Sequence, residues 1–211
     1  MKNEQSSQYP RGYQKISAAA KALNIDFRNK TILDIGSSTG GFTQYALDHG
    51  AKKVIAVEKG TNQMRAPHRF DPRIQLHEKT SIFDFPIPPV DLVLIDVSFV
   101  SLRRILSYLI SSNVRPLENS PASGNFQGGR ACEKSDNSKS CTVLAMFKPQ
   151  FEAHPDQLTK GIIKNEKIRR QIIKNFESWL KSNNFVVIAK RDNNLPGRHG
   201  NLERFYLVKY A

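Results

Sequence analysis

Ile32-Leu33-Asp34-Ile35-Gly36-Ser37-Ser38-Thr39-Gly40-Gly41-Phe42-Thr43 joins a short apolar run to glycines and small hydroxyls that open into a helical pattern. That order predicts a strand, a tight turn and a helix start, the arrangement with which α/β proteins hold nucleotides. Gly36, Gly40 and Gly41 carry no Cβ, so the backbone can take positive φ and admit a ligand closely. The first-turn N–H groups of the following helix remain available as donors. A carboxylate, a ribose or a phosphate suits such a loop; a plain strand-turn-helix connection suits it too.

What the loop lacks narrows the choice. Its spacing is Gly-x-x-x-Gly-Gly, whereas a dinucleotide fingerprint needs Gly-x-Gly-x-x-Gly and a P-loop ends in Gly-Lys-Ser/Thr. An acid, Asp34, stands two residues before the first glycine, and a second, Glu58, closes the next apolar run Val54-Ile55-Ala56-Val57. A carboxylate at that second position faces ribose hydroxyls in the general α/β scheme. The pairing resembles the S-adenosylmethionine site of a Rossmann-like methyltransferase, and Glu58 favours this over a plain connection.

Outward from the loop, residues 1–10 read as a mobile polar arm, and one domain is expected over 11–211. Arg11 to Asn24 reads as helix, with Ile16, Ala19, Ala20 and Leu23 on one face. Lys15 near its start is, taken alone, an exposed lysine. Strands are expected at 31–35 and 53–57, a short one within 71–76, and a loop over 78–84 beside an adenine, where Asp84 becomes a cofactor candidate. Val90-Asp91-Leu92-Val93-Leu94-Ile95-Asp96 is nearly all apolar, as a central parallel strand buried on both faces should be. Asp96 at its carboxyl end is either a cap for the helix expected over 102–110 or a functional acid; its position favours function. Residues 111–141, rich in Ser, Asn, Gly and Pro, read as a flexible insertion. Thr142 to Phe147 is a fifth strand delivering Lys148, which Pro149 keeps extended. A helix over 165–181, a strand at 185–189, a polar loop over 191–201 and a last strand at 204–209 complete the chain.

The net charge of +13 implies an anionic partner, nucleic acid first. Residues 160–211 hold 12 Lys/Arg against 4 Asp/Glu, +8 of that total. No apolar run approaches the ~20 residues of a membrane-spanning helix, and the polar start lacks a signal peptide's apolar core, so a cytoplasmic location is expected. Cys132 and Cys141 have no His at ligand spacing, so neither a metal site nor a disulfide is expected.

Five segments carry a resemblance: Arg11-Gly12-Tyr13-Gln14-Lys15, Leu33 to Thr43, Ile95-Asp96-Val97-Ser98-Phe99, Lys148-Pro149-Gln150-Phe151-Glu152 and Gly200-Asn201-Leu202-Glu203. In this order they resemble the FtsJ-like RNA ribose methyltransferases, most closely the TlyA (haemolysin A) type acting on ribosomal RNA. The resemblance implies a Rossmann-like α/β domain, with a mostly parallel seven-stranded sheet and an antiparallel last strand. It implies a catalytic tetrad at Lys15, Asp96, Lys148 and Glu203, and S-adenosylmethionine held by Asp34, Gly36, Ser38, Gly40, Gly41, Phe42, Glu58 and Asp84. The TlyA type carries an N-terminal S4 RNA-binding domain; with ten residues before Arg11, none is expected here. RNA affinity is therefore expected from the domain's own basic surface or from a partner.

The chemistry suits those residue types. A ribose 2′-hydroxyl is a weak nucleophile at neutral pH, so methyl transfer needs in-line positioning and a group to receive the proton. Lys148 is assigned that role, Asp96 orients it, and Lys15 with Glu203 positions the ribose. No metal is required. Two other classes stay in view: a non-catalytic RNA-binding or ribosome-assembly protein that retains the fold, and a nucleotide-linked oxidoreductase, which the loop spacing disfavours.

Overall fold

A computed structural model describes residues 9–112, 114, 141–195, 197 and 200–210. Most of the expected polar arm and of the 111–141 insertion thus lies outside the described residues, as does Cys132.

Among the described residues seven strands form one sheet: β1 (Thr31–Ile35), β2 (Lys53–Val57), β3 (Ile74–His77), β4 (Leu92–Ile95), β5 (Thr142–Phe147), β6 (Phe185–Asp192) and β7 (Arg204–Tyr210). Their order is β3-β2-β1-β4-β5-β7-β6. The first five pair in parallel, and β7 runs antiparallel between β5 and β6, as expected of the last strand. Four α-helices among the described residues cover it: α1 (Arg11–Ala22), α2 (Gly41–Asp48), α3 (Leu102–Ser111) and α4 (Glu166–Ser182). No helix among the described residues is long and apolar enough to cross a membrane.

Alternate side chains of each strand go to opposite faces, which gives the sheet two cores. Leu33, Ile35, Val93, Ile95, Val143 and Phe147 pack with Ile105 and Leu106 of α3 and Ile172, Phe176 and Leu180 of α4. Ile32, Val54, Leu92, Leu94 and Leu144 pack on the other side with Ile16 and Ala19 of α1 and Tyr45 and Ala46 of α2. With both faces covered, β1 and β4 are buried at every position, which accounts for their unbroken apolar sequence apart from Thr31 and Asp34. Cys141 is a free thiol at the start of β5, and burial pushes its pKa up to about 12.

Two boundaries differ from expectation. α1 stops at Ala22, where the N–H of Leu23 donates to Ala19 O and Asn24 turns to φ 50. β6 runs to Asp192, three residues past the expected 189, because its ladder with β7 continues to Asp192↔Arg204. The Arg204 guanidinium clasps the Asp192 carboxylate there at 2.6 and 2.9 Å.

Candidate active site

The carboxyl ends of β1, β4 and β5 open into one cavity of about 640 Å³, and the amino end of β7 closes its side. The loop after β1 reaches it through two left-handed glycines, Gly36 at φ 82 and Gly40 at φ 91, the latter starting α2. A Cβ on Gly36 would lie 2.7 Å from Asp96 O, so the loop and the end of β4 approach backbone to backbone. A Cβ on Gly41 would lie 2.7 Å from Tyr13 N and 3.0 Å from Gly12 Cα. The starts of α1 and α2 therefore meet at a pair of glycines, and this contact brings Lys15 to the loop.

The four tetrad positions line the cavity as two ion pairs. Lys15 Nζ donates to Glu203 Oε2 at 2.6 Å, with both side chains nearly out of solvent, and Met146 Sδ lies 3.8 Å away. Lys148 Nζ lies 2.7 Å from Asp96 Oδ1, an ion pair by distance but without hydrogen-bond alignment, and donates to Ser98 Oγ at 3.1 Å. Asp96 does not cap α3. That task falls to Glu152, whose carboxylate accepts from Leu102 N at 2.6 Å and Ser101 Oγ at 2.8 Å. Burial raises the Glu152 pKa, and these hydrogen bonds oppose the rise.

Of the eight expected cofactor residues, Gly36, Ser38, Gly41 and Phe42 line the cavity. Asp34 lies beneath it, fully buried, accepting from Thr43 Oγ1 at 2.6 Å through Oδ2, while Oδ1 has no hydrogen-bond partner among the described residues. Burial pushes the Asp34 carboxyl up to about 7; the Thr43 hydrogen bond opposes this and the Asp96 charge adds to it. Glu58 holds the loop from behind, accepting from Ser38 N at 2.9 Å and Gly60 N at 2.6 Å. Gly40 packs on Met64, and Asp84 is exposed at the end of a short turn; neither is among the lining residues.

Further lining residues had no assigned role in the sequence reading: Gln63, Phe99, Gln150, Phe151, Lys160 and Asn201. Phe99, Gln150, Phe151 and Asn201 sit inside the quoted motifs, so adjacency to Asp96, Lys148 and Glu203 was their signal. Gln63 and Lys160 had none. Phe99 is 90% exposed at φ 65, and its ring lies 5.3 Å from that of Phe151.

The family model described as FtsJ-like methyltransferase matches residues 9–210. The chain belongs to that family. YqxC of Bacillus subtilis is 32% identical over 92% of this chain and 62% of its own length. The 23S rRNA (cytidine-2′-O)-methyltransferase TlyA of Campylobacter jejuni is 30% identical over 86% of this chain and 63% of its own. The chain thus spans about three fifths of these two relatives. A crystal structure from Lactococcus lactis that carries the hemolysin name superposes with a TM-score of 0.80 at 32% identity, covering 97% of this chain and 90% of that one.

Proposed function

We propose that this FtsJ-like domain transfers a methyl group from S-adenosylmethionine to a ribose 2′-hydroxyl of structured RNA, with ribosomal RNA, naked or in a subunit, as the substrate and the cytoplasm as the location. The observation that carries this is the meeting of two lysine–carboxylate pairs with a glycine-rich loop in one cavity. The relatives' names support RNA as the acceptor.

The residues present fit the cofactor. Gly36, Ser38, Gly41 and Phe42 line the cavity, and Ser37 Oγ and Asp34 Oδ1 at the loop are buried polar atoms without hydrogen-bond partners among the described residues. Glu58 and Gly40 shape the loop from behind, and Asp84 is the outermost candidate. The cofactor supplies a sulfonium methyl, whose transfer makes an O–C bond, breaks a C–S bond and frees the hydroxyl proton. Lys148 Nζ, after losing its own proton to solvent and as the neutral amine, is the group that receives this proton, held at the end of β5 by Asp96 and Ser98. Lys15 and Glu203 form the drier pair, which fixes the ribose and keeps the site's charge balanced. Phe99 and Phe151 offer ring faces at which an unstacked base can rest.

The test is transfer of labelled methyl to ribosomal RNA, naked and in subunits, followed by nuclease mapping, with Lys148→Ala as control. Label on a ribose, reduced about 10²- to 10⁴-fold in the variant, is expected. No label on any RNA form, despite a thermal shift with S-adenosylmethionine, would overturn the reading in favour of a non-catalytic RNA-binding protein.

A further inference from the structure

We propose that the two-residue turn between Thr159 and Ile162 is a phosphate clamp for the RNA strand. Lys160 takes the phosphodiester beside the reacting ribose, and Asn201 is the positioning residue that fixes the turn against the Glu203 loop. This rests on RNA being the acceptor.

Charge in the cavity is the first argument. Its lining holds the cations Arg11, Lys15, Lys148 and Lys160 and the carboxylates Asp96 and Glu203. Both carboxylates are already matched to Lys15 and Lys148. Lys160 is thus a lining cation beyond the two matched pairs, which suits a phosphate and is not needed for proton transfer. Lys160 is exposed and forms no ion pair among the described residues.

The backbone is the second argument. Thr159 N donates to Ile162 O at 2.9 Å and Ile162 N to Thr159 O at 3.0 Å, closing a hairpin turn over Lys160 at φ 50 and Gly161 at φ 76. Turns with both central residues at positive φ favour Asn, Asp or Gly at the first of them. A lysine there is held against local strain, and strain maintained at a cavity wall points to use of the side chain. A Cβ on Gly161 would meet no atom of the described residues within 4 Å, so none of them crowds the tip where a strand would pass.

The third argument is the anchoring. Asn201, largely buried, spends both ends of its amide on this turn: Nδ2 donates to Gly161 O at 2.9 Å, and Oδ1 accepts from Ile163 N at 3.2 Å. Glu203 follows two residues later and pairs with Lys15. One short segment thus sets the height of the lysine tip and the place of the ribose pair together. Phosphate contacts fix register and orientation in this way without reading sequence.

The experiment measures steady-state methylation of ribosomal RNA, with salt dependence, for the wild type, Lys160→Gly, Lys160→Arg and Asn201→Ala. Lys160→Gly relieves the backbone strain, so its thermal midpoint should equal or exceed the wild type's. Its KM for RNA should nevertheless rise about tenfold with a smaller change in kcat, and the salt slope of log(kcat/KM) should fall by about 0.7 to 0.9, one phosphate contact. Lys160→Arg should retain most of the affinity. Asn201→Ala should raise KM similarly and add little when combined with Lys160→Gly. An active wild type whose Lys160→Gly variant keeps KM and salt slope overturns the clamp and leaves the RNA reading intact. A wild type that methylates no RNA overturns both.

Discussion

A carboxyl sealed inside a sheet must find full compensation or hold its proton, and Asp34 has only half the compensation. Thr43 serves Oδ2, Oδ1 has no hydrogen-bond partner among the described residues, and burial pushes the group up to about 7. In the unfolded chain the same carboxyl ionises near 3.8. Between those values the folded state keeps a proton that the unfolded state has released. Asp34's contribution to stability is therefore full below the unfolded pKa and declines as pH rises to about 7, by up to about 1.4 kcal/mol per unit. Asp34→Asn keeps an acceptor for Thr43 and cannot ionise. Urea unfolding from pH 5 to 8 should show the wild type losing stability relative to this variant up to about pH 7 and running parallel to it above. A constant difference across the range would mean that Asp34 is ionised throughout.

Between elements, distant residues hold the site. Glu152, just past β5, caps α3 by accepting from Ser101 Oγ and Leu102 N, and so fixes the Val97–Val100 segment that carries Ser98 and Phe99. Glu152→Ala should cost about 0.5 to 2 kcal/mol, the range for a lost N-cap, measured as a shift in the urea midpoint. It should also lower kcat, because Ser98 would no longer hold Lys148 steadily; Glu152→Gln, which can still accept from Leu102 N, should recover much of both. This cap shows where sequence reading stops. Helix periodicity, apolar runs and the Gly36–Gly41 loop are local signals, and they located α1, α2, β1, β2 and α4 to within a few residues. Glu152 was visible only as the end of a motif, since its donors lie 50 residues earlier. The extension of β6 was hidden for the same reason: it depends on a ladder with β7 that no local pattern encodes. Taken alone, Lys15 reads as an ordinary surface lysine, and only the family resemblance singles it out in sequence; the Gly12–Gly41 contact and Glu203 put it in the cavity wall.

Over the whole molecule, the basic surplus has a direction. The cavity sits at the carboxyl ends of the parallel strands, and α4 leaves that end and runs back along the sheet to the start of β6, which points the same way as β5. Its packed face carries Ile172, Phe176 and Leu180, and its exposed face carries Lys167, Arg170, Lys174 and Lys181. Arg170 pairs with Glu166 in the first turn. From Lys167 to Lys181 the helix rises about 21 Å, which is about two Debye lengths at 0.1 M salt. A charge at the near end acts on RNA engaged at the cavity, whereas one at the far end is largely screened from it. Lys167→Glu should therefore raise KM for RNA more than Lys174→Glu, and Lys181→Glu least, with kcat and thermal stability little changed in all three. The series should flatten as salt is raised. Equal effects at low salt would mean that RNA lies along the full helix, and none at all would make α4's basic face a solvated surface with the RNA held by the cavity rim alone.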